Sequence, residues 1–176
     1  MKAKKQFCIA NWKMNLNSSE ALKYLDIFNT YELCNLNTEI VICPSYTSLD
    51  FVIKANHNSL FKVGAQNVSH KAKGSITGDI SFEMLDILGC EYVIIGHSER
   101  RSFFNESNDL IKQKFDLLYK SSMTPILCVG ENYKDRSTNN HKNVLENQIM
   151  SVLGQYDSIH SDIILAYEPI WAIGTG

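Results

Sequence analysis

Six short apolar runs, spaced at fairly even intervals and separated by stretches of helical period, restrict this chain to an α/β fold built on a parallel sheet. The runs are residues 7–10, 40–43, 61–65, 92–95, 125–129 and 163–167. They are rich in Val and Ile, and none alternates cleanly with polar residues. A half-exposed strand would alternate, because successive side chains point to opposite faces; an unbroken run reads as a strand buried on both faces. Between the runs, Leu22, Leu25 and Phe28 share one helical face, as do Ile111, Phe115 and Leu118, and then Leu145, Ile149 and Val152. Asn17 with Glu20 three residues on is a capping-box signal for the first helix. Residues 48–55 and 82–88 carry a weaker helical period, and the polar residues 136–141 read as a turn before a helix. Strand and helix therefore alternate up to a sixth strand, with right-handed crossovers. This order fits a closed barrel or an open doubly wound sheet. The absence of G-x-G-x-x-G after the first run counts against a dinucleotide-binding version.

The 176 residues suffice for one core, so a single domain over 1–176 is expected. A net charge of −2 with 20% charged residues points to neither nucleic acid nor an anionic membrane as partner. The five cysteines are scattered singly, at 8, 34, 43, 90 and 128. An odd count without C-x-x-C argues against a disulfide framework or zinc ribbon and for a reducing compartment. Lys2, Lys4 and Lys5 precede an apolar stretch too short for a signal-peptide core, and no run approaches a membrane span in length. The expected location is the cytoplasm.

In parallel α/β folds, chemistry gathers beyond the carboxyl ends of the strands. Those ends carry Asn11-Trp12-Lys13 after the first run and Gly96-His97-Ser98-Glu99-Arg100-Arg101 after the fourth. Gly130-Glu131 follows the fifth, and Glu168-Pro169-Ile170-Trp171 with residues 172–176 follows the sixth. Singly, each has an ordinary explanation: a solvated lysine, a structural histidine at a helix start, a loop glutamate, a flexible glycine-rich tail. Together, an amide, an ammonium, an imidazole and a carboxylate on one rim suit proton transfer beside a carbonyl group.

Six motifs then make the reading specific. They are Asn-Trp-Lys-Met-Asn at 11–15, Gly-Ala-Gln-Asn at 64–67, Thr-Gly-Asp at 77–79, Gly-His-Ser-Glu-Arg-Arg at 96–101, Cys-Val-Gly-Glu at 128–131 and Ala-Tyr-Glu-Pro-Ile-Trp-Ala-Ile-Gly-Thr-Gly at 166–176. In order and spacing they resemble the signatures of the triosephosphate isomerase family. The resemblance implies a TIM (β/α)8 barrel with about six βα units and parallel strands. It implies interconversion of dihydroxyacetone phosphate and D-glyceraldehyde 3-phosphate through an enediol(ate), in glycolysis and gluconeogenesis, with no cofactor and no metal.

By the same resemblance, Glu168 is the base and His97 the neutral imidazole that polarises the carbonyl. Lys13 is the fixed cation near the substrate, Asn11 a hydrogen-bonding partner, and Gly174 a backbone donor to the phosphate. Glu99 is expected to hold Lys13, or else to be an ordinary acid at a helix start. Cys128 is expected to pack; Glu131 and Arg100 are expected to be structural. Residues 66–79, with Thr77 at the tip, resemble the loop through which the family forms homodimers.

On this resemblance the sequence stops inside the lid loop that follows Glu168, short of the seventh and eighth strands. The expectations are then a partial barrel domain, exposed strand edges near Phe7 and Ile163, a weakened phosphate grip, and weak or absent turnover in the isolated chain. The alternative is a non-catalytic dimerisation partner for a full-length isomerase. Another phosphate-handling barrel enzyme is a third possibility, opposed by the Tyr-Glu-Pro-Ile-Trp motif.

Overall fold

The structure is a computed structural model, and it describes residues 6–31, 37–56, 59–159 and 162–173. The elements alternate as expected. They run β1 (Gln6–Asn11), α1 (Ser18–Phe28), β2 (Thr38–Cys43), α2 (Tyr46–Ala55), β3 (Lys62–Ala65), α3 (Phe82–Leu88), β4 (Tyr92–Ile95), α4 (Ser98–Phe103) and α5 (Asn108–Leu118). Then come β5 (Thr124–Val129), α6 (Tyr133–Ser137), α7 (His141–Leu153), β6 (Ile164–Tyr167) and a 3-10 turn, Ile170–Ala172. The hydrogen-bonding order of the six strands is their chain order. The pairings are parallel, with Cys8 opposite Ile40 between β1 and β2 and Cys128 opposite Ala166 between β5 and β6. No described helix is long and apolar enough to cross a membrane.

Two compact units divide the chain. One holds residues up to Asn67 together with Glu83–Val93; the other holds Val68–Phe82 and the residues from Ile94 on.

In the first unit, Val41, Ile42, Cys43, Val63 and Ala65 of the strands are buried with Leu49 and Val52 of α2 and Leu85 of α3. Asn17 caps α1: its Oδ1 accepts the Ser19 and Glu20 N–H groups at 3.1 Å each, and Glu20 Oε2 accepts the Asn17 N–H at 2.9 Å. The buried stripe of α1 runs through Ala21 and Leu25, and Leu22 lies at its exposed margin. At 100° per residue, positions 21, 25 and 28 line up more closely than 22, 25 and 28, so the small residue takes the inner place. Phe28 then stacks edge-on against Phe61 with ring centroids 5.6 Å apart.

In the second unit, Ile111, Phe115 and Leu118 of α5 are all buried, as the periodicity predicts, and pack with Ile126, Leu127 and Val129 of β5 and Val152 of α7. Phe115, Tyr119 and Tyr156 form one aromatic cluster there. Arg136, expected in a turn, lies in the short helix α6, whose start is capped by Asn132 Oδ1 accepting the Asp135 N–H at 2.9 Å. The described cysteines, Cys8, Cys43, Cys90 and Cys128, are free thiols. Burial pushes the Cys43 and Cys90 thiols up to about 12, which keeps them protonated and unreactive. Cys34 lies outside the described residues.

Candidate active site

The second unit builds one half of the predicted constellation. β4 ends at Ile95, and Gly96 takes φ +69°, a left-handed turn in which a Cβ would also stand 2.9 Å from the Arg101 guanidinium. Arg101 fills that corner. It donates from Nε to the Gly96 carbonyl at 2.7 Å, from Nη1 to Asn108 Oδ1 at 2.7 Å and from Nη2 to the Cys128 carbonyl at 3.2 Å. The turn delivers His97 to the N-cap of α4, a position usually held by Ser, Asn or Asp.

His97 caps with its ring. Nδ1 accepts the Glu99 N–H at 3.2 Å. That N–H requires a lone pair on Nδ1, so the single ring proton of the neutral imidazole sits on Nε2. Nε2 faces Glu168 Oε1 at 3.2 Å, and the ring is 6% exposed, largely out of water. The second Glu168 oxygen, Oε2, accepts the Ser98 N–H at 3.4 Å. Burial pushes the Glu168 carboxyl up, while the hydrogen bonds from His97 Nε2, the Ser98 N–H and the Cys128 thiol pull it down. The carboxyl is held below the ordinary glutamate value. The Glu99 carboxylate lies 3.4 Å from His97 Nδ1.

Glu168 leaves β6 one residue past Tyr167, its N–H donating to the Val129 carbonyl at 2.8 Å. Beyond it, the chain is pinned by Glu131. Glu131 Oε1 accepts the Tyr167 hydroxyl at 3.0 Å and the Trp171 indole N–H at 3.0 Å, and Arg136 Nη1 stands 3.9 Å away. The Arg136 guanidinium also lies 5.7 Å from the Trp171 ring centre. Glu131 and Arg100 were expected to be structural. Glu131 ties the segment after Glu168 to β5, and Arg100 pairs with Glu106 at 2.5 Å.

The first unit builds the other half. Asn11, the last residue of β1, accepts the Lys13 N–H on Oδ1 at 3.0 Å. Lys13 has φ +53°, a left-handed backbone that a long side chain adopts only when its surroundings enforce it. The enforcement comes from Gln66, whose Nε2 donates to the Lys13 carbonyl at 2.8 Å and to the Cys43 carbonyl at 2.9 Å. One carboxamide thus bridges the ends of β1 and β2.

The structure therefore brings His97, Ser98, Cys128 and Glu168 together in one unit and Asn11 with Lys13 in the other. Thr77 is exposed, in the turn that precedes Asp79. That loop is braced by Ser69, which donates to Asp79 Oδ2 at 2.8 Å. Gly174 lies outside the described residues. The motifs contained Gln66 and Arg101 without revealing what they do. Gln148 stood in no motif, and its only signal was a polar side chain inside the apolar stripe of α7, three residues after Leu145 and one before Ile149.

The sequence profile described as triosephosphate isomerase matches residues 6–176. Among curated relatives, the triosephosphate isomerase of Aquifex aeolicus is 43% identical over 167 residues, 95% of this chain and 68% of the relative. That of Wolbachia sp. subsp. Brugia malayi is 46% identical over 168 residues, 96% of this chain and 68% of the relative. That of Clostridium novyi is 38% identical over 174 residues, 98% of this chain and 69% of the relative. With six parallel strands in barrel order and a match along nearly its whole length, the chain belongs to the triosephosphate isomerase family, and its fold is that family's (β/α)8 barrel with six of the strands present.

Proposed function

We propose that this chain interconverts dihydroxyacetone phosphate and D-glyceraldehyde 3-phosphate by proton transfer through an enediol(ate). Glu168 is the base, His97 the electrophile, Lys13 the fixed cation, Asn11 a substrate hydrogen-bonding partner and Gly174 a backbone N–H donor to the substrate phosphate. The observation that carries the reading is the Glu99 N–H on His97 Nδ1, which leaves the Nε2 proton aimed at Glu168. A neutral imidazole with a fixed N–H is the group needed to polarise a carbonyl, and a carboxylate beside it is the group needed to take a proton from the adjacent carbon.

The chemistry follows from those two groups. Ionised Glu168 removes a proton from the carbon next to the carbonyl. The electron pair of that C–H bond becomes the C=C bond of the enediolate, and the carbonyl oxygen takes the charge. The Nε2–H stabilises this oxygen, aided by the ammonium of Lys13. The proton of the hydroxyl on the carbon that lost its hydrogen passes to the oxygen that took the charge, and Glu168 returns its own proton to the neighbouring carbon, so that the C=O bond reforms one carbon along. In the structure Glu168 itself occupies the Nε2–H, so the carboxylate has to swing off His97 before a substrate oxygen can take its place. A homodimer through residues 66–79, with Thr77 at the tip, and a cytoplasmic location complete the proposal. Glu99 serves it by presenting its N–H to His97, and its carboxylate is assigned to holding Lys13.

The test is isomerisation of glyceraldehyde 3-phosphate by the purified chain, against Glu168→Gln. Removing the base should lower kcat by at least about a hundredfold, the usual worth of a positioned general base. Equal rates for the two proteins would remove the proposal and leave the dimerisation-partner alternative, which mixing with an intact isomerase would then address.

A further inference from the structure

Gly130 is the first residue past β5, and β6 does not use its backbone polar groups. The ladder at this level runs from the Glu168 N–H to the Val129 carbonyl at 2.8 Å and from the Ile170 N–H to the Glu131 carbonyl at 3.0 Å. Alternate residues of a strand serve opposite neighbours, so the N–H and C=O of Gly130 face the other edge. One side chain takes both. The Gly130 N–H donates to Gln148 Oε1 at 2.9 Å, and Gln148 Nε2 donates to the Gly130 carbonyl at 3.0 Å. A carboxamide carries an acceptor and a donor on one planar group, so Gln148, reaching from α7, stands in for a strand residue beside the end of β5.

The clamp sits where there is no slack. A Cβ on Gly130 would fall 1.8 Å from the Glu168 carbonyl oxygen, so the two backbones lie directly against each other. A shift of the Gly130 peptide has to move Glu168. The Glu168 carboxylate is held by side-chain and backbone donors at or past the long end of the usual range, His97 at 3.2 Å and Ser98 at 3.4 Å, with the Cys128 thiol, so its place depends on where its own main chain rests.

We propose that Gln148 is a positioning residue for Glu168: by clamping both backbone groups of Gly130 from α7, it fixes the surface against which the Glu168 main chain rests, without touching the reacting atoms. The proposal rests on the reading of Glu168 as the base. Its consequence is that the loss of two hydrogen bonds remote from the substrate changes the ionisation and reactivity of Glu168 more than substrate binding.

The test uses Gln148→Met, which keeps the length of the side chain and removes both hydrogen bonds. The Glu168 carboxyl is followed by 13C NMR, its signal assigned by its disappearance in Glu168→Gln. In the parent chain it titrates below an ordinary glutamate. In a folded Gln148→Met its midpoint moves up toward the ordinary value as the His97 and Ser98 contacts lengthen, and kcat drops about tenfold with KM within about twofold, less than the hundredfold that a 1 Å misplacement can cost. An unchanged midpoint in a folded variant overturns the proposal, as does a loss confined to KM. If Gln148→Met does not fold, Gln148→Leu replaces it. The shorter apolar side chain also removes both hydrogen bonds and adds no charge beside Glu168, so the same midpoint criterion applies. Should the parent chain show no isomerisation, the base reading fails while the titration still decides whether Gln148 governs Glu168.

Discussion

Glu131 carries its carboxylate where its side chain is fully shielded from water. Burial alone would push that carboxyl up. Hydrogen bonds from the Trp171 indole, its own backbone and the Tyr167 hydroxyl, with the charge of Arg136, outweigh burial and hold it below the ordinary value. The sign of the pH dependence follows. A depressed native value means that the unfolded chain, titrating at about 4.3, binds more protons between the two values, so stability rises with pH across that window. The contribution is complete above the unfolded value and is lost as pH falls through the native one. Glu168 acts with the same sign. Urea midpoints measured from about pH 3 to 7 should fall steeply on the acid side, and Glu131→Gln should flatten the fall while lowering the neutral-pH midpoint. Parallel curves for the two proteins would mean that Glu131 is not an ionised anchor. The sequence marks Glu131 and Trp171 as motif residues but does not join them. They are 40 residues apart, and what joins them is the β5–β6 register, Val129 opposite Tyr167. Register is set by packing along the whole strand, so no local pattern displays it.

At the scale of elements, α5 shows what periodicity reveals and where it stops. Ile111, Phe115 and Leu118 define its inner face, and Lys114, three residues after Ile111 and four before Leu118, lies on that same face. It is 3% exposed. A lysine there needs a carboxylate, and the sequence around α5 does not single one out. The partner is Glu106 in the segment before the helix, with Nζ–Oε1 at 2.5 Å, and the same oxygen accepts Arg100 from α4 at 2.5 Å. Burial pushes the Lys114 amine down, opposed by the hydrogen bond and charge of Glu106. The helices α4 and α5 are thereby locked through one acid. Lys114→Met should cost about 3–5 kcal/mol, toward the lower end because Arg100 still faces Glu106. Replacing Glu106 by Leu in the same chain should recover part of the loss, since the single variant leaves the buried Glu106 carboxylate with one partner in place of two. Chemical denaturation of both variants checks this, and a Lys114→Met chain as stable as the parent would show the cluster to be solvated. The short helices α4 and α6 escaped the periodicity for a simpler reason: at six and five residues they do not complete two turns, so no repeat can form.

For the whole molecule, six unbroken apolar runs announce strands buried on both faces, and the interior of the sheet obeys. All four residues of β4 are buried, as are five of the six in β5. The strands at the two ends of the order depart from it. β1 exposes Gln6, Phe7 and Cys8, and β6 alternates, with Leu165 at 50% and Tyr167 at 51% exposure. The runs at residues 7–10 and 163–167 have the composition of interior strands, and among the described residues each has one strand neighbour. Apolar side chains on a strand with one described strand neighbour form a template on which a second copy can add a strand. Tyr167 is committed to Glu131, so Leu165 is the position at which this property can be separated from the site. Leu165→Lys places a charge on the edge and removes little packing, so folding stability should stay within about 0.5 kcal/mol of the parent. The proposed self-association through residues 66–79 would saturate at a dimer, whereas edge-to-edge pairing does not close. Sedimentation velocity over a concentration series should therefore show species growing past the dimer in the parent chain and their loss in Leu165→Lys, with the dimer retained. If both proteins grow alike, β6 is not the adhesive edge, and the exposed end of β1 becomes the strand to charge next.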